Sequence, residues 1–371
     1  MQTQSKFRLL VVRLGAMGDI LHALPAVTAL RMDHPGWIID WVVEPQWRSL
    51  LATENSPGRS SGLRIGPSRT ADPLNAQPLV DRLHFAPTKR WRKAPLSLQT
   101  LHEIMSLRRA LRSCDYDAVI DLQGAVRSAV VGRLAGTRRL IGEAEPRERA
   151  ASLFFSQTVA TRGAHVIQQD LELASAIVGD ELAPVRPWLP VDPTAEAWAD
   201  TILPPGGHSA VLINPGAGWG AKRWPVERYA DVARGLAERG LRVLVNVGPG
   251  EEPLAEAIVA HSGGAATPVV CTLAQLIALT RRIALAIAGD TGPLHLACAL
   301  GRPVVGIYGP TDPSRNGPFG TRFKVLRSPD SRRDHTRRAD PEPGLLTIEP
   351  KTVMQAAIEL LYPESASEIS L

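Results

Sequence analysis

Short apolar runs alternate along the chain with longer segments in which apolar residues recur every three to four positions. In the first half the runs cover residues 7–13, 38–43, 82–85 and 117–122, and the longer segments cover 20–32 and 98–112. Runs of this kind are typical of buried parallel strands, and the longer repeat is typical of the helices that cover them. Residues 53–78 are rich in Pro, Gly, Ser and Asn and predict a loop. The first half therefore predicts a parallel sheet with helices on its faces.

The same alternation begins again after residue 209. Strands are predicted at 210–213, 241–247, 283–287 and 303–308, and helices at 226–239, from 251, at 294–300 and at 353–361. Between the halves, residues 182–206 hold six prolines and predict a linker. Because 371 residues are many for one core, we predict domains at 1–185 and 206–345, followed by a C-terminal helix and tail at 346–371. The predicted fold class is α/β, with two doubly wound Rossmann-like domains facing across a cleft.

Composition limits the class of protein. Hydrophobic residues make up 44% of the chain and charged residues 21%, as in an ordinary folded protein. No apolar run is long enough to span a bilayer, and residues 1–6 lead into a strand rather than a signal segment, so we expect a cytoplasmic protein. Cys114, Cys271 and Cys298 are far apart and have no metal or redox spacing, so they are expected to be buried structural thiols. The net charge of +5 fits an acidic substrate or a membrane surface; no nucleic-acid partner and no cofactor is expected.

Two loops of the second half are suited to phosphate. The first follows the strand at 283–287 and consists of Asp290, Thr291, Gly292, Pro293 and, one turn into the helix, His295. The first amides of a helix have no helical acceptor and attract anions. The second loop, 214–225, combines three glycines with Lys222, whose point charge suits a phosphate. Each loop alone has a plain alternative, a capped connector or a solvated basic loop, but together they predict a site for a diphosphate.

A third strand exit, at residues 248–252, carries two adjacent carboxylates. Acidic residues at such exits accept hydrogen bonds from ribose hydroxyls in dinucleotide sites. We therefore predict that Glu251 or Glu252 contacts a ribose.

In the first half, Asp19 stands at the start of a helix, after the glycine-containing turn 15–18. One interpretation is a general base at a binding cleft, with the glycines allowing a substrate to approach closely. The alternative is an aspartate that only complements the helix dipole, an effect of about 0.3–1 kcal/mol.

The basic run 89–93 also lies in the first half, directly after a predicted strand. Its plain interpretation is a solvated charged face. Its functional interpretation is a binding surface for an acidic acceptor, with Trp91 packing on a sugar or lying near a membrane.

Other chemistry is disfavoured. Asp115 and Asp117 form a D-x-D sequence that holds a metal–nucleotide in some enzymes, but it precedes a strand, away from the expected cleft. The chain has no G-x-S-x-G elbow and no paired histidine ligands, so no metal site is predicted. The turn after the first strand lacks the G-x-G-x-x-G spacing, which disfavours an oxidoreductase.

The combination of motifs resembles glycosyltransferase family 9, the ADP-heptose:lipopolysaccharide heptosyltransferases. The motifs that carry the resemblance are 17–19 with 21–25, 40–44, 90–93, 117–121 with 123–124, 221–225, 290–292 with His295, and 308–313. They extend over most of the chain. Residues 40–44 and 90–93 are most like those family members that add the first heptose to Kdo, whereas Gly15 and Ala16 replace two serines of those members.

The resemblance implies a GT-B fold and an inverting, metal-independent transfer of heptose from ADP-L-glycero-β-D-manno-heptose to a Kdo-lipid A acceptor, in synthesis of the lipopolysaccharide inner core. It implies that Asp19 is catalytic and that Lys222 assists catalysis. The implied donor site comprises Gly18, Lys222, Glu251, Glu252, Asp290, Thr291, Gly292, Pro293 and His295. The implied acceptor site comprises Lys89, Arg90, Arg92, Lys93 and Gln123. A peripheral position at the cytoplasmic face of the inner membrane is also expected.

Three alternatives remain open at this stage. One is a GT-B glycosyltransferase of this kind with a different sugar acceptor. Another is a nucleotide-sugar epimerase, and the last is a nucleotide-binding protein without enzymatic activity.

Overall fold

The computed structural model describes residues 6–53, 63–64, 78–206, 209–334 and 338–363. They form two compact units, divided between Asp192 and Pro193. Most of the loop expected at 53–78 lies outside the described residues, but Leu63–Arg64 is a strand. No helix in the described part of the chain is long and apolar enough to cross a membrane.

The first unit is built on one sheet. Its strands are β1 Arg8–Val12, β2 Ile38–Val43, β3 Leu63–Arg64, β4 Arg82–Phe85, β5 Ala118–Asp121, β6 Leu140–Glu143 and β7 Gln157–Val159. Its helices are α1 Met17–Asp33, α2 Thr88–Lys93, α3 Leu98–Arg112, α4 Val126–Leu134 and α5 Val166–Val178, with 3-10 turns at Pro45–Leu50 and Arg149–Phe154. The strand order is β3-β4-β2-β1-β5-β6-β7, and only the β3–β4 pair is antiparallel.

The second unit repeats the plan. Its strands are β8 Ala210–Asn214, β9 Arg242–Asn246, β10 Ala266–Val269, β11 Leu285–Gly289, β12 Val304–Tyr308 and β13 Phe323–Arg327, in the all-parallel order β10-β9-β8-β11-β12-β13. Its helices are α6 Pro193–Ile202, α7 Val226–Ala237, α8 Glu252–His261, α9 Leu273–Thr280, α10 Gly292–Ala299, α11 Pro313–Asn316 and α12 Pro350–Leu361, with 3-10 turns at Gly220–Lys222 and Pro343–Thr347.

Both sheets reverse their strand order at one point. In the first unit the chain moves outward from β1 to β2 and β4, then returns to place β5 on the other side of β1. In the second unit the same reversal lies between β8 and β11. The crevice at the carboxyl ends of the two strands flanking such a reversal is where doubly wound folds bind ligands. The predicted α/β class with two doubly wound halves is confirmed, and each unit has one candidate ligand-binding edge.

The α1 helix is more buried than its sequence pattern predicts. A one-sided apolar face was expected, yet nearly every residue from Met17 to Arg31 is shielded from solvent. The reason is that α5 packs along α1. The helix also continues through Pro25.

The proline-rich stretch 182–206 is only partly a connector. It contains α6, which packs against α9 of the second unit through small residues such as Ala199 and Ala278. Arg282, in the turn after α9, also bonds Glu196 and Asp200 of α6. The helix α12 packs on α7, so it belongs to the same compact unit as the strands before it. The domain limits drawn from sequence at 185, 206 and 345 remain predictions.

Candidate active site

In the first unit, Asp19 lies beside the reversal point, at the third residue of α1. Its Oδ2 accepts a hydrogen bond of 3.0 Å from the amide of Ala16, and its Oδ1 is 3.7 Å from the guanidinium of Arg13. Arg13 is buried, whereas the Asp19 side chain is 36% exposed. An oriented carboxylate is therefore open to solvent at the carboxyl end of β1, where it could take a proton from a bound hydroxyl.

The turn before Asp19 needs its glycine for an internal reason. Gly15 has φ +151°, and a Cβ at this position would meet the indole Nε1 of Trp47 at 2.6 Å. Trp47 belongs to the 3-10 turn after β2. One close neighbour of Gly15 is thus a side chain of the same unit, and the approach of a substrate to this turn stays a prediction.

The turn after β5 is tied to the turn after β1. Gln123, predicted to contact an acceptor, is buried, and its Oε1 accepts a 2.8 Å hydrogen bond from the amide of Leu14. The neighbouring Asp121 accepts hydrogen bonds from the amides of Gln123 and Gly124 and from the hydroxyl of Ser128. Burial nevertheless raises the pKa of Asp121 to about 6, although those bonds and the charge of Arg13 act in the opposite direction.

Asp170 on α5 is a second buried acid in this region. Burial raises its pKa to about 7; Arg13 opposes the rise, and the charges of Asp19, Glu143 and Asp121 add to it. Its Oδ2 has no hydrogen-bond partner in the part of the chain described. Arg13 is therefore the cation that offsets several acids behind Asp19, a role that the sequence analysis did not detect.

The basic run forms a short helix, α2, at the same edge of the sheet. Its start is anchored by Glu44, which follows the neighbouring strand β2 and accepts from the Thr88 hydroxyl and the Lys89 amide. Arg90 pairs with Glu103 of α3 at 2.6 Å. Lys89, Arg92 and Lys93 are exposed. Three of the four predicted acceptor cations thus point to solvent, and the fourth is held by an ion pair.

Trp91 has a structural role. Its side chain is 8% exposed and lies in the core beneath α3, and its Nε1 donates to Glu103 at 2.8 Å. Packing on a sugar face and anchoring near a membrane were both expected from sequence, and this burial argues against both.

Exposed apolar side chains stand next to the basic helix. Leu96 and Leu98, in the turn after α2 and at the start of α3, are 85% and 86% exposed, and Leu101 and Met105 are 45% and 48% exposed. Positions 98, 101 and 105 share one helical face. We call α2 together with these four side chains the α2–α3 surface.

In the second unit, Lys222, Asp290 and His295 meet at the reversal point between β8 and β11. The ammonium of Lys222 is 2.6 Å from Asp290 Oδ2 and 3.2 Å from the Asp290 carbonyl, and it lies 5.0 Å from the centre of the Trp219 ring. His295 Nε2 is 3.2 Å from the other oxygen, Asp290 Oδ1. Two loops that are 68 residues apart in the chain are therefore joined in one network, as the sequence predicted.

The network keeps Asp290 ionised. Burial alone would raise its pKa, but the hydrogen bond with His295 and the charge of Lys222 hold that pKa far below its usual range. Asp290 in turn fixes Lys222, whose ammonium has three donors and uses two of them on Asp290. One N–H of Lys222 remains for an anion, and the side chain is 17% exposed.

The helix α10 begins at this network. Thr291 is its N-cap residue, and its hydroxyl donates to the Gly289 carbonyl instead of capping the helix. Pro293 has no amide hydrogen, so the amide of Gly292 is the first helical donor at this end. Beside Lys222 it offers a partial positive charge suited to a phosphate oxygen.

The glycine-rich loop after β8 is shaped by close neighbours. A Cβ at Gly216 would lie 2.1 Å from Glu251 Oε2, and one at Gly220 would lie 1.5 Å from the Ala339 carbonyl. Gly218 has open space at this position. Two of the three glycines are therefore needed for contacts within the protein, and only the third leaves room beside the loop.

The two adjacent glutamates after β9 have different environments. Glu251 lies against Gly216, accepts from the Gly248 amide at 3.3 Å and is 3.3 Å from Arg223. Glu252 is the first residue of α8, and its side chain caps the Gly250 amide at 3.1 Å. Glu251 therefore lies at the phosphate-competent loop, and Glu252 lies at a solvent-exposed helix start.

Sequence reasoning missed two buried polar groups at this edge. Asn214 ends β8 with its Nδ2 lacking a partner, and Thr311 follows β12 with its hydroxyl lacking one, among the residues described. Their signal was position alone, since Asn214 is the last residue of a buried strand and Thr311 lies in the turn after another. By contrast, Asp115 and Asp117 precede β5, where Asp117 accepts from the Arg8 amide. They are therefore far along the sheet from the residues that end β1 and β5.

Comparison with known proteins gives a consistent set of relatives. The family described as "Glycosyltransferase family 9 (heptosyltransferase)" matches residues 104–345. Lipopolysaccharide heptosyltransferase 1 of Escherichia coli K12 is 33% identical over 330 residues, covering 87% of this chain and 94% of that protein. The structure of E. coli heptosyltransferase WaaC with ADP-2-deoxy-2-fluoro heptose has a TM-score of 0.73 at 28% identity, covering 95% and 99% of the two chains. The structure of E. coli ADP-heptose lps heptosyltransferase II, at 21% identity, shares the fold with a TM-score of 0.71. The match covers 97% of this chain and 100% of that chain.

Proposed function

The chain belongs to glycosyltransferase family 9, with a GT-B class of fold, and from this membership we propose that it transfers a heptose from ADP-L-glycero-β-D-manno-heptose to a Kdo-lipid A acceptor. The reaction would serve synthesis of the lipopolysaccharide inner core. Relatives at 28–33% identity bear the name lipopolysaccharide heptosyltransferase 1, and the similar E. coli heptosyltransferase WaaC is solved with ADP-2-deoxy-2-fluoro heptose.

The observation that carries the proposal is the Lys222–Asp290–His295 network at the start of α10. It presents one ammonium hydrogen and one helix-start amide together, at the reversal point of a doubly wound sheet. Glycosyl transfer from a nucleoside diphosphate leaves negative charge on the departing diphosphate. Lys222 and the Gly292 amide would stabilise that charge, and Glu251, beside the same loop, would accept from the ribose.

Asp19 is assigned as the general base. Inversion needs a carboxylate that removes the proton of the attacking hydroxyl as the oxocarbenium-like centre forms. Asp19 is oriented by the Ala16 amide, balanced by Arg13 and open to solvent. Gln123 is assigned an indirect role, since it fixes Leu14 in the turn that carries the base.

The transfer is proposed to need no metal at the donor site. In the described chain, the one group of His, Cys, Asp and Glu side chains with metal-binding spacing is Asp40, His84 and Cys114, which contains none of the donor-loop residues. The cations assigned to the diphosphate are instead a lysine and a helix-start amide.

The acceptor is proposed to bind along α2. Kdo carboxylates and lipid A phosphates are anions, and Lys89, Arg92 and Lys93 are exposed cations at the edge of the sheet that carries Asp19. Because such an acceptor is held in a bilayer, the exposed leucines of the α2–α3 surface are assigned to peripheral contact with an anionic membrane surface.

The proposed function is tested by mass spectrometry of products formed from ADP-heptose with a panel of acceptors. Addition of one heptose to Kdo-containing acceptors, and to none lacking Kdo, is the expected result. Donor consumption without any acceptor product would indicate an epimerase or a hydrolase. ADP-heptose binding without turnover would indicate a non-enzymatic nucleotide-binding protein.

A further inference from the structure

A buried cluster of polar side chains lies in the first unit, away from the strand exits already described. Asp40 on β2, His84 on β4 and Cys114 before β5 are 1%, 0% and 2% exposed, and one ligand atom from each lies within 4.8 Å of the others. Tyr116 is buried with them. Cys114 and Tyr116 belong to the same apolar core as Val42 and Leu107. Side chains of these types are rarely placed in such a core without a ligand or a complete set of hydrogen bonds.

The hydrogen bonds in the cluster are incomplete. The Tyr116 hydroxyl is 2.6 Å from Asp40 Oδ2 and 2.9 Å from His84 Nε2. Asp40 Oδ1 and His84 Nδ1 are buried and have no partner in the described ranges. Asp40 and His84 therefore each keep one hydrogen bond, to Tyr116, and one polar atom that is unpaired within the described chain, which is unfavourable in a buried site.

The environment of Cys114 favours its thiolate. The guanidinium of Arg82 lies 2.8 Å from Cys114 Sγ. A cation at this distance stabilises the thiolate, which is the form of cysteine that binds metals. This contact is independent of the spacing between the three ligand atoms.

We propose that Asp40, His84 and Cys114 bind one zinc ion, and that this zinc stabilises the first unit. A thiolate, an imidazole and a carboxylate form a mixed donor set that zinc accepts in tetrahedral geometry. Ligand atoms around such an ion lie roughly 3.3–3.8 Å apart. His84 Nε2 and Asp40 Oδ2 are 3.7 Å apart and need no adjustment. The Tyr116 hydroxyl, 2.6 Å from Asp40 Oδ2 and 2.9 Å from His84 Nε2, would move aside to admit the ion, and Cys114 would move inward.

The buried position defines the role of the metal. The ligands come from two neighbouring parallel strands and from the turn leading into a third, so one ion would connect three segments of the sheet. None of the ligands lies in the turns after β1 and β5, which carry Asp19 and Gln123. The zinc is therefore structural, and its binding is independent of heptose transfer.

The test measures metal content and coordination rather than activity. The full chain is expressed with added zinc, passed over a weak chelating resin and measured by inductively coupled plasma mass spectrometry. About one zinc per chain is expected for the wild type, falling at least several-fold in Cys114→Ser. The matched control is Cys271→Ser, which removes a thiol that bonds Asn246 in the other unit and should retain its zinc.

A second measurement covers the case in which Cys114→Ser fails to fold. Cobalt replaces zinc in the wild-type chain, and the thiolate-to-cobalt absorption band in the near ultraviolet is recorded. The band is expected at one cobalt per chain. Wild-type protein at background zinc without the band, or equal metal loss in both cysteine variants, would overturn the proposal.

Discussion

At the scale of single residues, the site depends on side chains whose partners are distant in the chain. The position of Asp19 at a helix start is readable from sequence, because a glycine-containing turn precedes an apolar helix. The sequence does not identify Arg13 as the partner of Asp19, because a basic residue at the end of a strand could equally well face solvent. The choice between Glu251 and Glu252 depends on the direction of two adjacent side chains, which no local pattern determines. The structure places Glu251 against Gly216, which favours Glu251, and the ribose contact stays a prediction.

Asp19→Asn is expected to lower kcat by about 10²–10⁴ while leaving ADP-heptose affinity nearly unchanged. Asparagine keeps the shape of the side chain and can still accept from the Ala16 amide, but it cannot take a proton. Steady-state kinetics and donor titration measure the two quantities. Asp33→Asn, at the exposed far end of the same helix, is the control and should retain wild-type turnover. Wild-type kcat in Asp19→Asn would refute the assignment.

Asp170→Asn is expected to stabilise the protein, and more so at pH 8 than at pH 5. Burial raises the pKa of Asp170 to about 7, so the folded state holds a proton that the unfolded state has lost above about pH 4. Wild-type stability therefore decreases as pH rises from about 4 to 7, and the neutral asparagine removes this loss. The gain at pH 8 should exceed that at pH 5 by at least about 1 kcal/mol in urea unfolding.

The control for this prediction is Asp180→Asn, just beyond the same helix and exposed to solvent. It should show no difference between the two pH values. An equal effect of Asp170→Asn at pH 5 and pH 8 would mean that this carboxyl is ionised in the folded protein throughout.

At the scale of elements, the functional groups lie on turns that two neighbouring strands hold together. Lys222 follows β8, and Asp290 begins the turn after β11. These two strands pair in register from Val211 with Leu285. The periodic pattern predicted both strands and both exits, so it predicted that the loops would meet. It did not predict that His295 would bond Asp290, because a residue in the first turn of a helix can reach several partners. A contact of His295 with a phosphate stays a prediction.

Lys222→Ala is expected to weaken ADP binding by about 10–100-fold, measured by calorimetric titration. The loss of ADP affinity has two causes, the missing ammonium and the unpaired Asp290 carboxylate. The melting temperature is measured as well, to detect any loss of stability caused by the unpaired carboxylate. Lys222→Arg keeps a cation opposite Asp290 and should recover part of the affinity. Full ADP affinity in Lys222→Ala would place the diphosphate elsewhere.

Treatment with EDTA is expected to leave heptose transfer intact, since Lys222 and the α10 start are assigned the charge of the leaving diphosphate. The measurement is the initial rate before and after brief chelation. A complete loss of rate that magnesium restores would contradict this assignment. A slow loss that only zinc restores would instead reflect the buried cluster of Asp40, His84 and Cys114.

Neutralising Arg92 and Lys93 on α2 is expected to raise the acceptor KM several-fold with ADP-heptose affinity unchanged. Both are exposed, whereas Arg90 is held by Glu103 and is left in place. The effect should shrink as salt rises, because exposed charges are screened beyond roughly 8–10 Å. Changing Arg133 and Arg138, two exposed arginines near the opposite edge of the sheet, is the matched control. A normal acceptor KM for the α2 variant at low salt would mean that the basic run 89–93 is only a solvated charged face.

At the scale of the whole molecule, the sequence predicted the fold better than the environment of individual side chains. Apolar runs separated by helical segments define two doubly wound sheets, because right-handed crossovers leave few other topologies. The same patterns could not show that α5 buries the outer face of α1, or that Trp91 lies in the core. They also could not relate Asp40, His84 and Cys114, whose ligand spacing exists only after strand pairing. Burial and side-chain pairing depend on residues that are distant in the chain. A local sequence pattern shows only one partner of each such contact.

The last prediction concerns how the whole molecule meets a lipid surface. Leu96 and Leu98 are almost fully exposed beside the cations of α2, and apolar side chains next to basic ones are typical of proteins that bind anionic bilayers. Leu96→Ser with Leu98→Ser should reduce co-sedimentation with phosphatidylglycerol–phosphatidylcholine vesicles several-fold, and pure phosphatidylcholine vesicles should bind the wild type weakly. Leu153→Ser with Val270→Ser removes two other apolar side chains, 83% and 73% exposed, and should leave binding unchanged. The wild type and both double variants should use a soluble Kdo-containing acceptor equally well, because that reaction needs no bilayer. Equal vesicle binding by the two double variants would show that the α2–α3 surface does not contact the membrane.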